Sequence, residues 1–211
     1  MLLIIHTMNN QSPSTTDNRK QRNPADFPLL GVLSLGPAHG YDLCAELRER
    51  LGEIWILRTS HIYALLAGLE KDGLVSHERI DQENRPAKKV FRITPEGRKI
   101  FSIWMTSPVS NVRDMRMEFF TKLYFARLES HEVAAKLIDD QLKVCRKNIK
   151  RLMARKESSN VEVERAVLDY KLTMLKTTAA WLRRARAALP VEPGDRNHEF
   201  NISTDTHNWV S

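Results

Sequence analysis

The residues with the clearest capacity for surface chemistry lie at the start of the segment RTSHIYALLAGLEKDG, residues 58–73. They carry hydroxyl, imidazole and phenol groups, and they are Thr59, Ser60, His61 and Tyr63. Short polar side chains of this kind can donate and accept hydrogen bonds at base edges in a DNA major groove. Two small residues, Ala67 and Gly68, follow and leave room for a partner to approach closely. The alternative is an amphipathic helix that only packs against the rest of the protein.

A second candidate set is cationic and could bind phosphate groups. Four cations fall within eight residues that contain no acid, and they are Arg85, Lys88, Lys89 and Arg92. Phosphate contacts fix a protein on the DNA backbone, whereas short polar groups select bases, so the two sets have complementary roles. We predict phosphate contacts by Arg85, Lys88 and Lys89, and contacts to the flanking backbone by Tyr41 or Lys71.

The spacing of apolar residues predicts the element that positions the first set. Four of them recur at intervals of three and four, which predicts a helix with one buried face. They are Ile62, Leu65, Leu66 and Leu69. Thr59 or Ser60 could cap the start of this helix, and Gly73 is typical of the residue just beyond a helix end.

The neighbouring segments predict the elements around that helix. An apolar helix begins near Asp26 and ends at Gly36-Pro37, and a second helix runs from His39 or Gly40 to Gly52. After Gly73, LVSHERI and KKVFRIT alternate as two strands around a loop, Gln82–Lys89, and TPEG then opens another helix. Three short helices followed by a hairpin with a basic tip are typical of a winged helix-turn-helix, with Ser60–Lys71 as recognition helix and the loop as wing. Winged helices that bind protein also exist.

Four motifs occur in an order that resembles the PadR family of bacterial transcriptional regulators. They are HGYDL, SHIYALLAGLEKDGLV, RPAKKVFRITPEGRKI and DMRMEFFTKLYFAR, and the resemblance covers residues 28–127. Phe91 stands where that family usually has tyrosine, and His61 where it often has glutamine, which could alter the bases that are read. The resemblance implies DNA-binding regulators with small-molecule effectors, often phenolic acids or hydrophobic drugs, bound near a dimer interface.

The second half of the chain is predicted to be helical. Two stripes of apolar residues recur at intervals of three and four on either side of a break at residues 158–160. We predict that they form an antiparallel pair that dimerises with a second copy. The predicted dimer residues are Ile138, Leu142, Cys145, Ile149, Leu152, Leu168, Leu172, Leu175 and Leu182. The alternative is a hairpin that completes its own core within one chain.

Aromatic residues near the junction of the two halves are candidates for an effector pocket. They are Trp104, Phe119, Phe120, Tyr124 and Phe125. Residues of these types are also ordinary core residues, and the core interpretation is the one we favour.

The distribution of charge qualifies the nucleic-acid hypothesis. The chain of 211 residues has a net charge of +7, but residues 24–105 carry eleven basic and eleven acidic residues, whereas residues 106–190 carry eighteen and ten. Bulk charge therefore does not make the case for DNA, and local clustering has to. The fold class that we predict is mostly α with a small β-hairpin. Its domains are a disordered arm 1–23, a winged helix-turn-helix 24–105, a helical dimerisation and effector domain 106–190, and a flexible tail 191–211.

Other functional classes find little support in the sequence. Cys44 and Cys145 have no CxxC partner, which predicts no disulfide framework or zinc site and fits a reducing cytoplasm. The opening MLLIIHTMNN has too short an apolar run for a membrane span or a signal peptide, and Met8 could equally be the start. No nucleophile and base, paired carboxylates, phosphate loop or metal cluster is evident, so we expect neither an enzyme nor a cofactor. We expect a homodimeric, DNA-binding regulator that represses, and the alternative is a winged-helix module that binds a protein.

Overall fold

The computed structural model describes residues 22–82 and 85–189. Seven α-helices, three β-strands and one short 3-10 helix, Val112–Met115, make up this part of the chain. The elements are α1 (Asp26–Leu35), β1 (Ala38–His39), α2 (Gly40–Leu51), α3 (Thr59–Lys71), β2 (Val75–Gln82), β3 (Arg85–Ile93), α4 (Pro95–Thr106), α5 (Glu118–Glu129), α6 (His131–Ser158) and α7 (Glu162–Ala188). We call α1–α4 with the three strands the winged-helix unit, and α5–α7 the arm. Of the predicted disordered N-terminal segment 1–23 and flexible tail 191–211, residues 1–21 and the whole tail lie outside the described residues.

Helix α1 forms the centre of the winged-helix unit. Its sequence is nearly all apolar, and Leu29, Leu30 and Leu33 are buried almost completely. Helices α2, α3 and α4 and strand β3 all contact α1, so it is covered on most sides. A short helix with apolar residues on every face is stable only when it is enclosed in this way. The predicted fold class, mostly α with a small sheet and a winged helix-turn-helix, is confirmed.

The sheet differs from the predicted hairpin in two respects. It has a third strand, β1, because Ala38 and His39 pair antiparallel with Phe91 and Val90 of β3, giving the order β1-β3-β2. The predicted loop Gln82–Lys89 is also too long, since β3 already begins at Arg85 and pairs there with Gln82. Register between the strands is irregular where Ile80 pairs with Lys88, and Pro86 lies in this bulge. Proline cannot donate to a strand ladder, so a bulge is where a strand tolerates it.

The end of α3 is fixed to the start of α4 by hydrogen bonds around Thr94. The Thr94 hydroxyl accepts a bond of 3.0 Å from the Gly97 amide and donates one of 2.8 Å to the carbonyl of Gly73. Its own amide donates to the carbonyl of Leu74 at 3.0 Å. Gly73 has a φ of 71°, a left-handed conformation that glycine adopts without strain. The turn that ends α3 is therefore held in one conformation.

In the arm, α6 and α7 form an antiparallel hairpin. Ion pairs join Arg155 near the end of α6 to Glu164 near the start of α7 at 2.6 Å, and Arg186 near the end of α7 to Asp139 near the start of α6 at 3.2 Å. Helix α5 packs against α6 and connects the hairpin to the winged-helix unit. No helix within the described ranges is long and apolar enough to span a membrane.

Replacing Gly97 by alanine should destabilise the fold. A Cβ atom at this position would lie 2.1 Å from the carbonyl oxygen of Leu74, so backbone on one side would have to move. We expect Gly97→Ala to lower the free energy of unfolding by about 1–3 kcal/mol, the usual cost of overpacking. Urea denaturation followed by circular dichroism measures this change.

Gly68→Ala is the matched control, because a Cβ on Gly68 would meet nothing within 4 Å. Within helix α3 this change should raise the free energy of unfolding by about 0.4–1 kcal/mol. Equal effects of the two substitutions would show that the contact between Gly97 and Leu74 does not constrain the fold.

Candidate nucleic-acid interface

Helix α3 presents the predicted polar residues on its exposed side. Ile62, Leu65, Leu66 and Leu69 are all buried, as the spacing predicted. Thr59, Ser60 and His61 are exposed, and Tyr63 is 44% exposed. The first turns of α3 therefore carry hydroxyl, imidazole and phenol groups on a surface open to a partner. Beyond them, Gly68 has open space in front of it, which leaves the middle of this face flat.

The start of α3 differs from the prediction. Arg58 is the N-cap residue, and no side chain accepts a hydrogen bond from the first amides of the helix. Thr59 and Ser60 lie inside the first turn of the helix. The predicted capping role of Thr59 and Ser60 is wrong, because neither residue occupies the cap position. An uncapped helix start exposes amide donors and the positive end of the helix dipole.

The Tyr63 side chain of α3 contacts Gly40 at the start of α2. It lies so close that a Cβ on Gly40 would be 2.6 Å from the tyrosine hydroxyl oxygen, so the ring would have to move if Gly40 were replaced. Tyr41, the next residue, is 78% exposed. The start of α2 and the start of α3 thus contribute to one surface, and this brings Tyr41 and Tyr63 together.

The predicted cations are spread more widely. Lys71 is exposed in the last turn of α3, about 18 Å along the helix axis from Thr59 at 1.5 Å per residue. Lys89 is exposed on β3 and pairs across the ladder with Arg79. Arg92 lies 3.8 Å from Glu78, so part of its charge is balanced within the sheet. The side chains of Arg85 and Lys88 fall outside the described part of the structure.

The residues predicted to form a dimer lie inside one chain. Leu142, Leu168 and Leu172 are at most 5% exposed in the single chain, because α6 packs on α7 along this stripe. The other predicted dimer residues are buried or half-buried in the same interior. They are Ile138, Cys145, Ile149, Leu152, Leu175 and Leu182. Their burial within a single chain favours the alternative, an intramolecular hairpin.

A different apolar stripe on α7 is exposed and was missed. Its members recur at intervals of four, three and four, and they are Val163, Val167, Tyr170 and Met174. Tyr170 is 66% exposed and Val163 73%. The stripe has the same helical spacing as the buried leucines, but its mixed residue types make the signal weaker. Seven positions after Met174, Trp181 contacts Phe120 of α5 edge-on at 5.2 Å, so the apolar surface continues onto α5.

The aromatic residues proposed for an effector pocket pack largely against their neighbours. Phe119 and Phe125 are buried in the core. Trp104 stacks on Phe27 of α1 with ring centres 4.2 Å apart. The hydroxyl of Tyr124 accepts a hydrogen bond of 3.1 Å from Arg50 of α2. These contacts agree with the core interpretation that we favoured.

A cavity of about 180 Å³ lies behind the start of α3. Its lining comes from α2, the segment between α2 and α3, and α3 itself, and includes Cys44, Arg48, Trp55, Ile56 and Ile62. Desolvation raises the pKa of the Cys44 thiol, and burial also raises that of Cys145. A thiol of raised pKa is a poor nucleophile at neutral pH, which supports packing roles for both cysteines. Across the described residues, no three His, Cys, Asp or Glu side chains come together to hold a metal ion.

Family models match both parts of the chain. The transcriptional regulator PadR-like family matches residues 29–102, which include α2, α3 and the sheet. The family described as virulence activator alpha C-term matches residues 115–190, which include the whole arm. The region similar to the PadR-like family therefore contains the exposed face of α3 and the wing, and the second match begins at Met115.

Known relatives are transcriptional regulators. The negative transcriptional regulator PadR of Bacillus subtilis is 29% identical over 116 residues, 55% of this chain and 64% of that protein. A probable transcriptional regulator of Mycobacterium tuberculosis is 31% identical over 88 residues, 42% of this chain and 47% of that protein. The matched region thus spans less than two thirds of either relative. Among solved structures, Bacillus subtilis PadR in complex with operator DNA aligns with a TM-score of 0.41 and 26% identity, covering 80% of this chain and 100% of that one.

Both cysteines should react slowly with iodoacetamide in the folded protein. Burial limits access to the thiols and raises their pKa, so little thiolate is present at pH 8. We expect alkylation at least about tenfold slower in buffer than in concentrated urea, as measured by mass spectrometry. Equal rates in the two conditions would contradict the buried positions of Cys44 and Cys145.

Proposed function

We propose that this protein is a sequence-specific DNA-binding regulator that acts as a homodimer and represses transcription. The observation that carries the proposal is the exposed, uncapped first turn of α3, which presents hydroxyl and imidazole groups within a PadR-like domain. An α-helix fits the major groove of B-DNA, and its N-terminal residues then reach base edges. The buried leucine face of the same helix holds it against the rest of the domain.

Each predicted contact residue has a role in this proposal. Ser60, His61 and the hydroxyl of Tyr63 would bond base edges, while Thr59 would contact the backbone at the groove edge. Free amides at the start of α3 can bond a phosphate oxygen. The wing cations Arg85, Lys88 and Lys89 would bind phosphates beside the groove. Tyr41 and Lys71, at opposite ends of the surface, would contact the flanking backbone.

The exposed stripe on α7 supports dimerisation. Contiguous apolar surface that remains exposed in a single chain marks an interaction site. A second copy is the partner we propose, because a two-fold axis would place the same stripe on both sides of the contact. Two copies of α3 would then enter successive major grooves about 34 Å apart and recognise a palindromic site. In this proposal residues 24–105 read the DNA and residues 106–190 set the dimer.

Repression would follow when the bound dimer occludes a promoter. The Bacillus subtilis relative is a negative transcriptional regulator, which supports this direction of control. A small aromatic or hydrophobic effector would release the DNA if it bound better to a dimer whose recognition helices are wrongly spaced. Phe120 and Trp181 lie where the apolar surface of α7 meets α5. Among the aromatic residues, this pair best supports a site for such an effector.

The second candidate function is a winged-helix module that binds an acidic protein. Residues 24–105 have no net charge, and residues 143–156 of α6 carry seven cations and no acid. However, Lys143, Arg155 and Lys156 already pair with Asp140, Glu164 and Asp169. Part of this charge is therefore balanced within the arm.

Replacing both Lys88 and Lys89 by alanine should weaken binding to every duplex and reduce its dependence on salt. Each lost phosphate contact lowers the slope of log K against log salt by about 0.9, so a loss of roughly two is expected. Fluorescence anisotropy with a labelled duplex at several salt concentrations measures the slope.

The matched control removes two exposed lysines from the arm, Lys171→Ala with Lys176→Ala. This control has the same change in net charge and should leave the slope unaltered. Equal slopes for the wing variant and the wild type would favour the protein-binding module.

Acidic substitutions on the exposed stripe should separate the dimer. In Val167→Glu with Tyr170→Glu, two charges would be desolvated at the contact between copies, so we expect monomers by sedimentation equilibrium at micromolar protein. Ala166→Glu with Thr173→Glu adds the same charges on a neighbouring, exposed side of α7 and should remain dimeric. A dimer in both variants would show that copies do not associate through this stripe.

A further inference from the structure

The segment that joins the winged-helix unit to the arm is held by two buried polar side chains. Only 2% of the side-chain surface of Lys122 in α5 is exposed, and its Nζ donates a hydrogen bond of 2.8 Å to the carbonyl of Ser107. Gln141 of α6 is also 2% exposed, and it bonds Val109 at both ends of its amide. The Gln141 oxygen accepts from the Val109 amide at 2.6 Å, and the Gln141 nitrogen donates to the Val109 carbonyl at 2.9 Å. Both contacted residues lie in the segment that follows α4.

The Lys122 contact resembles a cap supplied by another helix. Ser107 is the C-cap residue of α4, where helical carbonyls lack partners and the helix dipole is negative. A buried ammonium group is costly, and desolvation lowers the pKa of Lys122 while Glu118, at 2.6 Å, opposes that shift. The Nζ also lies 4.8 Å from the centre of the Trp104 ring. Contacts with the Ser107 carbonyl, the Glu118 carboxylate and the Trp104 ring thus hold this amino group at the end of α4.

The Gln141 contact constrains the segment in a different way. Two hydrogen bonds to the amide and carbonyl of one residue fix both the position and the orientation of that residue's backbone. A leucine at position 141 would fill similar space but would impose neither. Because an apolar core residue could supply stability equally well, these buried polar groups are better explained by the geometry that they select.

Further bonds continue this attachment into the winged-helix unit. The Trp55 indole donates to the hydroxyl of Thr121, next to Lys122, at 2.8 Å, which ties the segment before α3 to α5. Arg50 of α2 donates to the Tyr124 hydroxyl at 3.1 Å. Helix α5 is thereby bonded to α2, to the segment before α3 and to the end of α4. Direct hydrogen bonds therefore connect the elements next to the recognition helix to the arm.

We propose that Lys122 and Gln141 are positioning residues that set which spacing of DNA half-sites the dimer accepts. This inference rests on the proposed function. The exposed stripe that would join two copies lies on α7, in the arm. The recognition helix lies in the winged-helix unit, on the other side of the connecting residues 107–109. The distance between two recognition helices therefore depends on the angle at residues 107–109. If the angle is fixed, binding to a site with the wrong spacing costs free energy. If the angle is loosened, that cost disappears, while each recognition helix still binds its half-site.

The test uses duplexes selected by the wild-type protein from a random library, then altered by insertion of two base pairs between the half-sites. Lys122→Met and Gln141→Leu keep approximate volume and remove the polar contacts. We expect the insertion to weaken wild-type binding at least about tenfold, as for a rigid bivalent ligand that no longer spans its sites. In both variants the penalty should fall to about threefold or less, while affinity for a single half-site stays within about twofold of wild type.

Lys136→Met is the matched control. Lys136 pairs with Asp140 four residues later at 2.6 Å, with the same spacing as Glu118 and Lys122. Its side chain is 75% exposed, and its ammonium group bonds Asp140 rather than residues 107–109. It should keep the wild-type penalty. Circular dichroism establishes which variants fold. If Lys122→Met does not fold, Gln141→Leu, which buries no additional charge, decides the outcome.

The outcomes separate the two proposals. A folded Gln141→Leu variant with the full wild-type penalty overturns the positioning role and leaves the proposed function intact. A wild-type protein that binds half-sites with no preference for their spacing also overturns it. If the wild type selects no duplex at all, the proposed function fails, and this inference fails with it.

Discussion

The structure depends on the burial of one face of helix α3. Ile62, Leu65, Leu66 and Leu69 lie against the core, and burial of each such side chain contributes about 1.5–3 kcal/mol. Because their spacing covers only one side of the helix, the opposite side must remain at the surface whatever its residues are. The polar groups of the first turns are exposed for this reason. Tyr63, on the exposed side, packs against Gly40 at the start of α2.

Strong local patterns were sufficient to predict much of this arrangement. The apolar spacing of α3, the glycine just beyond its end and the TPEG segment that opens α4 each act within a few residues, and the structure has all three as predicted. Strand β1 was missed because two residues, Ala38 and His39, carry no periodicity, and only their pairing with β3 defines them. The cap of α3 was wrong because the helix already begins at Thr59, so that Arg58 occupies the cap position.

The arm shows a second limit of prediction from sequence. A helix with two apolar stripes gives no indication of which stripe its own chain will bury. The leucine stripe of α7 is covered by α6, and the stripe of Val163, Val167, Tyr170 and Met174 is left exposed. Residues were therefore assigned correctly to a helical hairpin and wrongly to its outer surface. The buried polar contacts of Lys122 and Gln141 were also beyond reach, since their partners are backbone groups of Ser107 and Val109.

The central claim is that the first turn of α3 reads bases, and His61 tests it most directly because it is exposed and unlike its usual counterpart in the family. Selection of bound duplexes from a random library should be carried out with the wild type and with His61→Ala. We predict that the wild type enriches a palindromic motif and that His61→Ala relaxes the preference at the same one or two positions of both half-sites, each such contact being worth about 1–3 kcal/mol. An identical motif from both proteins, or no motif from either, would contradict the account.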